Sequence, residues 1–151
     1  AFYKQVTSHT IEEDNISIIS CNGISYKRYL RVLKGTNKKI AVLTDNDKDE
    51  LRISQAKKFN LENKNQHVFM GKTVDDWTWE VCLIKRNKCV LDELIKPDGN
   101  SKYLVNGADI GDKTLGKMLN QKVESAYKIL KSNTKLIIPD HICEAIEWLK
   151  K

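Results

Sequence analysis

Eight consecutive residues, Ile40-Ala41-Val42-Leu43-Thr44-Asp45-Asn46-Asp47, constrain the fold more than any other stretch. An apolar, β-branched run of strand length ends abruptly in two carboxylates two positions apart. In open α/β sheets, ligands and catalytic groups gather outside the carboxyl ends of the strands. Carboxylate oxygens are the ligands Mg²⁺ prefers, commonly one or two of them beside water and phosphate oxygens. The segment therefore reads in one of two ways. It is a divalent-metal site at a strand end, or a strand running into a helix that Asp45 or Asp47 caps.

The rest of the chain alternates strands and helices. Ala1 to Val6 reads as the tail of a helix, and Ile16 to Ser20 as a short strand closed by Asn22-Gly23. A helix over Ile24 to Leu33 offers Ile24, Tyr26, Leu30 and Leu33 to a sheet. Strands follow at Lys39 to Thr44 and Gln66 to Met70, with a polar helix at Lys48 to Phe59 between them. Asp76 to Arg86 and Cys89 to Ile95 read as two helical pieces parted by Asn87, and Pro97 to Gly111 as a loop. A long helix is expected from about Asp112 to Lys131. Pro139 suits the first turn of a last helix burying Ile142, Ala145, Ile146 and Leu149.

Composition excludes several classes. A chain of 151 residues, 40% hydrophobic and 30% charged, has the profile of a folded globular domain. No apolar run approaches the roughly 18 residues a membrane helix needs, and no secretory pattern opens the chain. The cysteines Cys21, Cys82, Cys89 and Cys143 form no CxxC pair and read as reduced, mostly buried thiols of a cytoplasmic protein. A zinc site using His141 and Cys143 lacks a second ligand pair. The net charge of +6 permits a polyanionic partner without establishing one. Trp77 and Trp79 could stack on bases, although tryptophans in a helical pattern more often serve a core.

Two further residues carry chemical interest. At about 100° per position, Leu115, Leu119, Val123, Ala126, Ile129 and Leu130 share one face of the long helix. Lys113, Lys117, Glu124, Lys128 and Lys131 fall opposite, while Lys122 interrupts the apolar stripe. An ammonium there must snorkel out, find an acidic partner or serve a purpose such as neutralising a phosphoryl group. Glu80 stands near the start of a largely apolar helix, where an acid complements the helix dipole.

In order, these motifs resemble a known family. They run Asn22-Gly23, Thr44-Asp45-Asn46-Asp47, Thr78-Trp79-Glu80, Asn120-Gln121-Lys122-Val123-Glu124-Ser125-Ala126, then Ile138-Pro139 and a closing helix. The series is similar to the C-terminal Toprim (topoisomerase–primase) domain of OLD-family ATP-dependent endonucleases, the class that includes the nuclease subunit of the Gabija anti-phage system. The resemblance extends from about Ile16 to Leu149. It implies an α/β, Toprim-like fold with a mostly parallel sheet flanked by helices and additional C-terminal helices. The whole chain, 1–151, would be a single nuclease domain, with a core over 1–95 and C-terminal helices over 112–151.

By the same resemblance, Asp45 and Asp47 match the family's DxD, Glu80 the acid of its Thr-Leu-Glu-type motif, and Lys122 the lysine before a Val/Arg-Glu-Phe-Ala-like helix. Asp45, Asp47 and Glu80 would then hold Mg²⁺ or Mn²⁺, with Lys122 stabilising the transition state of DNA phosphodiester hydrolysis. Lys122 lies about 75 positions beyond the acidic pair, so the account requires its helix to fold back onto the strand ends. One departure stands out. The family's first strand, ending in a catalytic glutamate, has no counterpart before Ala1-Phe2-Tyr3-Lys4-Gln5-Val6, and Glu12 and Glu13 do not take its place. The expectation is a piece of a longer protein with an incomplete metal site, partnered by DNA, by an ATPase domain of the same parent and by further copies of itself. Two alternatives remain open at this level. One is a non-catalytic Toprim-like scaffold for DNA binding or dimerisation. The other is a DxD phosphatase of the haloacid-dehalogenase type, whose motif usually continues with threonine or valine where Lys48 follows here.

Overall fold

A computed structural model describes residues 1–21, 26–99 and 102–151. Helices α1 (Phe2–Thr7) and α2 (Tyr26–Val32) precede strand β1 (Ile40–Leu43), helix α3 (Glu50–Glu62) and strand β2 (Gln66–Phe69). Helix α4 (Trp79–Ile95) leads to strands β3 (Leu104–Val105) and β4 (Ala108–Asp109). Helices α5 (Lys113–Asn120), α6 (Lys122–Lys131) and α7 (Asp140–Lys150) complete the chain. The residues group into two compact units, Ala1–Thr78 with Pro139–Lys151, and Trp79–Ile138.

In the first unit, β1 and β2 pair in parallel from Ile40 opposite Gln66 to Leu43 opposite Phe69, with α3 as the crossover. Leu30, Ile53, Ala56, Val68 and Met70 form its core, with Tyr26, Ile40, Val42, Phe59 and Val74 packed against it. Tyr26 and Leu30 thus take the places expected of them; Ile24 and the Asn22-Gly23 turn lie outside the described residues. Helix α7 packs on both strands, its Trp148 ring stacked on His67 at 4.4 Å between centroids. The last helix therefore belongs with the sheet, not with α5 and α6. Pro139 sits one position earlier than expected, as its N-cap.

Ile16 to Ser20 is a correction. It forms no strand, and Ile18 and Ile19 are exposed. β-branched residues favour extended backbone, but a strand exists only where a ladder partner is present.

In the second unit, α4 packs on α5 and α6, and Leu83, Leu91, Ile95 and Met118 are wholly buried. Asn87 divides α4 as anticipated, with non-helical φ −132°, ψ 25°. Its amide donates to Leu83 O (2.8 Å) and Ile137 O (2.9 Å), and its Oδ1 accepts from Ile137 N (2.7 Å). Asn87→Ala leaves both Ile137 backbone groups without that partner. The expected loss is about 2 kcal/mol, measured by urea unfolding, with faster hydrogen exchange at the Ile137 amide. The expected loop over Pro97 to Gly111 contains the small antiparallel β3–β4 hairpin. Of the cysteines, Cys82 alone is buried, Cys21 and Cys143 are half-buried and Cys89 is exposed, so the thiols are not mostly buried as expected.

The single helix expected from Asp112 to Lys131 is two helices broken at Gln121 (φ −127°, ψ 55°). Asn120 turns its amide back onto Gly116 O (2.8 Å), the kind of side-chain competition that ends a helix. The break invalidates one continuous apolar stripe. Val123 and Leu130, assigned to the inner face, are exposed, whereas Lys117, assigned to solvent, is buried. Its Nζ donates to Lys96 O (3.1 Å), capping the carbonyl end of α4.

Candidate functional site

The loop leaving β1 is held by a residue that sequence reasoning passed over. Asn46 is 0% exposed. Its amide donates to three backbone carbonyls, Gly71 O (3.0 Å), Thr73 O (2.8 Å) and Asp76 O (3.2 Å). Its Oδ1 accepts from Lys48 N (2.9 Å), closing a local turn. Asp47 and Lys48 follow in the left-handed region, at φ 52° and 63°. Non-glycine residues there cost about 1–2 kcal/mol each, and such strain gathers where structure holds functional groups in place. Asp47 N donates to Trp77 O (3.2 Å), and Lys48 Nζ lies 4.9 Å above the Trp77 ring.

The cap of α3 is neither Asp45 nor Asp47. Asp49 takes that role, accepting from Leu51 N (2.8 Å) and Arg52 N (3.3 Å). Helix capping therefore does not account for the two acids. Asp45 is half-buried; Asp47 is largely exposed and ion-paired with Arg52, which also approaches Asp49 at 3.7 Å. An Arg five positions after an aspartate at a helix start could have been noticed as a candidate partner. The burial of Asn46 had no such signal.

Glu80 and Lys122 are brought together in the second unit. Glu80, in the first turn of α4, is 1% exposed. Lys122 Nζ lies 3.2 Å from its Oε1, an ion pair not aligned as a hydrogen bond. Lys122 is the first residue of α6 and its side chain is 55% exposed. Of the outcomes open to this lysine, it meets an acidic partner. Its place is set by the break at Gln121 and not by the middle of an apolar stripe.

Other titratable groups are engaged elsewhere in the fold. Asp14 is held below the usual carboxylate range by hydrogen bonds from Tyr3 and then His9, and Tyr3 is pushed up to about 12 by the same contact. In the second unit Asp92 is held low by Lys88 and Thr114. His141 is buried and joins no metal-ligating cluster with Cys143 among the described residues.

A divalent ion held by protein side chains alone needs more donors than these. Among the described residues, no three His, Cys, Asp or Glu side chains come close enough to share one. Asp47 is committed to Arg52, and Glu80 to Lys122. The residues present therefore fall short of a metal centre.

Comparison with known proteins bears on the β1 loop. Residues 1–47 match the family model of the Overcoming lysogenization defect protein-like TOPRIM domain. The match covers about a third of the chain. It runs from α1 through β1 and ends on Asp47, so both acids of the DxD fall inside it, while Glu80 and Lys122 lie beyond it. The similarity ties this part of the chain to a nuclease-related, metal-binding domain type. The mixed α/β architecture with a small parallel sheet accords with it. No curated protein and no solved structure gives a significant match. No helix among the described residues is long and apolar enough to cross a membrane.

Proposed function

We propose that this chain is the Toprim part of an OLD-type ATP-dependent endonuclease, related to Gabija-type anti-phage nucleases, and that it acts on DNA phosphodiesters. Asp45 and Asp47 are its acidic pair, and Lys122 is the cation that meets a phosphate oxygen. An ATPase domain of the same parent and a homo-oligomeric assembly complete the enzyme. The observation that carries this reading is the β1 loop. Two consecutive left-handed residues and a wholly buried Asn46 hold the acidic pair, and neither acid is spent on capping α3.

The test is plasmid cleavage with Mg²⁺, Mn²⁺ or EDTA by the full-length parent enzyme, comparing it with its Asp45→Ala and Lys122→Ala variants. Cleavage dependent on the ion, reduced about 100-fold or more by either substitution, is the expected result. A non-catalytic scaffold is the second reading, favoured by the Asp47–Arg52 pair and the want of a third acidic donor among the described residues. Salt-sensitive DNA binding without turnover in any condition would select it.

A further inference from the structure

We propose that Glu80 is the counter-ion that positions Lys122, and not a ligand of a divalent ion. Three observations point there. A carboxylate that is 1% exposed must be compensated, and the ion-pair partner that the structure gives it is Lys122, 3.2 Å away. Among the described residues, Glu80 belongs to no group of three or more His, Cys, Asp or Glu side chains that could hold a metal ion. Thirdly, Lys122 opens α6, where the helix dipole disfavours a cation, and Gln121 offers no side-chain cap. The helix itself gives an ammonium no reason to rest there. A buried carboxylate does.

The arrangement is one-sided. Glu80 lies wholly inside the fold, while Lys122 keeps 55% of its side chain in solvent. One side of the ammonium faces a fixed negative charge and the other remains open. Glu80 thereby restricts the lysine to one place without covering it, as a positioning residue does for a group that must meet an anion. The functional meaning, a lysine held ready for a phosphate oxygen, rests on the reading proposed above. The pairing itself does not.

The experiment needs no DNA. The chain is treated with limiting N-hydroxysuccinimide acetate, and acetylation of Lys122 is read by peptide mass spectrometry against the exposed Lys57. Glu80→Gln is expected to raise relative Lys122 labelling roughly fivefold, the scale of one partly exposed ion pair. Glu80→Asp keeps the charge but withdraws it by one methylene, and is expected to shift labelling in the same direction. Lys122→Met should lower the Tm by stranding a buried carboxylate, and adding Glu80→Gln should restore most of the loss. Unchanged labelling in both Glu80 variants overturns the proposal, as do strictly additive Tm effects. Mn²⁺ binding weakened tenfold by Glu80→Gln, measured by electron paramagnetic resonance, would also overturn it by making Glu80 a ligand.

Discussion

Asn46→Ala is expected to destabilise the protein by about 3–5 kcal/mol. The side chain is wholly buried, and its amide is shared by the carbonyls of Gly71, Thr73 and Asp76. A single protein hydrogen bond contributes only about 1 kcal/mol net, but a buried group left without a partner costs about 1–3 kcal/mol. Alanine leaves three such carbonyls and also removes the acceptor for Lys48 N. Water entering the gap would recover part of this, so the estimate stays below the simple sum. Asn46→Asp separates hydrogen bonding from packing, because it keeps the volume while turning an acceptor towards carbonyl oxygens. It should cost at least as much as alanine. Urea unfolding measures both. If Asn46→Ala costs under about 0.5 kcal/mol, the range of ordinary surface substitutions, the clamp does not hold this loop.

Gly71→Ala is expected to be as damaging, for a steric reason. A Cβ at this position would lie 2.0 Å from Asp76 O and 2.6 Å from Asp76 Cβ. The nearest obstacle is backbone, so a rotamer change cannot relieve it. Overpacking a core typically costs about 1–3 kcal/mol, occasionally more; a backbone overlap of this depth belongs at or above the upper end. The two predictions are coupled, because Gly71 O and Asp76 O are both acceptors of Asn46. Asn46→Ala frees the 71–76 segment to move, so the double variant should lose less than the sum of the singles. Strict additivity would show that the two residues act on separate parts of the fold.

The two substitutions also bear on the acidic pair. Asn46 stands between Asp45 and Asp47, and Asp47 N is fixed to Trp77 O on the segment following the 71–76 loop. Loosening that loop should disturb both carboxylates even though neither is altered. Changed nuclear magnetic resonance shifts of the Asp45 and Asp47 carboxylates in Asn46→Ala, at temperatures where the chain remains folded, would register this.

Local pattern was enough for part of the fold. The apolar run ending at Thr44 is β1, the polar helix after it is α3, and Gln66 to Phe69 is β2. Asn87 was legible as a break in α4 because a polar residue interrupts apolar helical spacing. In each case the signal is periodicity within a few residues, which the backbone obeys locally. Ile16 to Ser20 has strand composition without a ladder partner, so local preference had nothing to complete it. The long helix failed differently: the break at Gln121 reorients every residue after it, which is how Val123 came to be exposed, while Lys117, before the break, is buried by reaching the Lys96 carbonyl.

Of the candidate site, the sequence by itself determined the acidic pair and its place at a strand end, because the change from apolar run to carboxylates is written in adjacent residues. It also singled out Glu80 and Lys122, through the order of motifs. Tertiary structure alone decided that these two pair with each other, that Asp49 caps α3 and that Arg52 engages Asp47. It alone turned Asn46 from a spacer between two aspartates into the clamp of the loop. The physical reason is range. Hydrophobic periodicity is a property of neighbours along the chain. The partner of a buried polar group is chosen among whatever the fold brings within about 3 Å, and it can lie dozens of residues away.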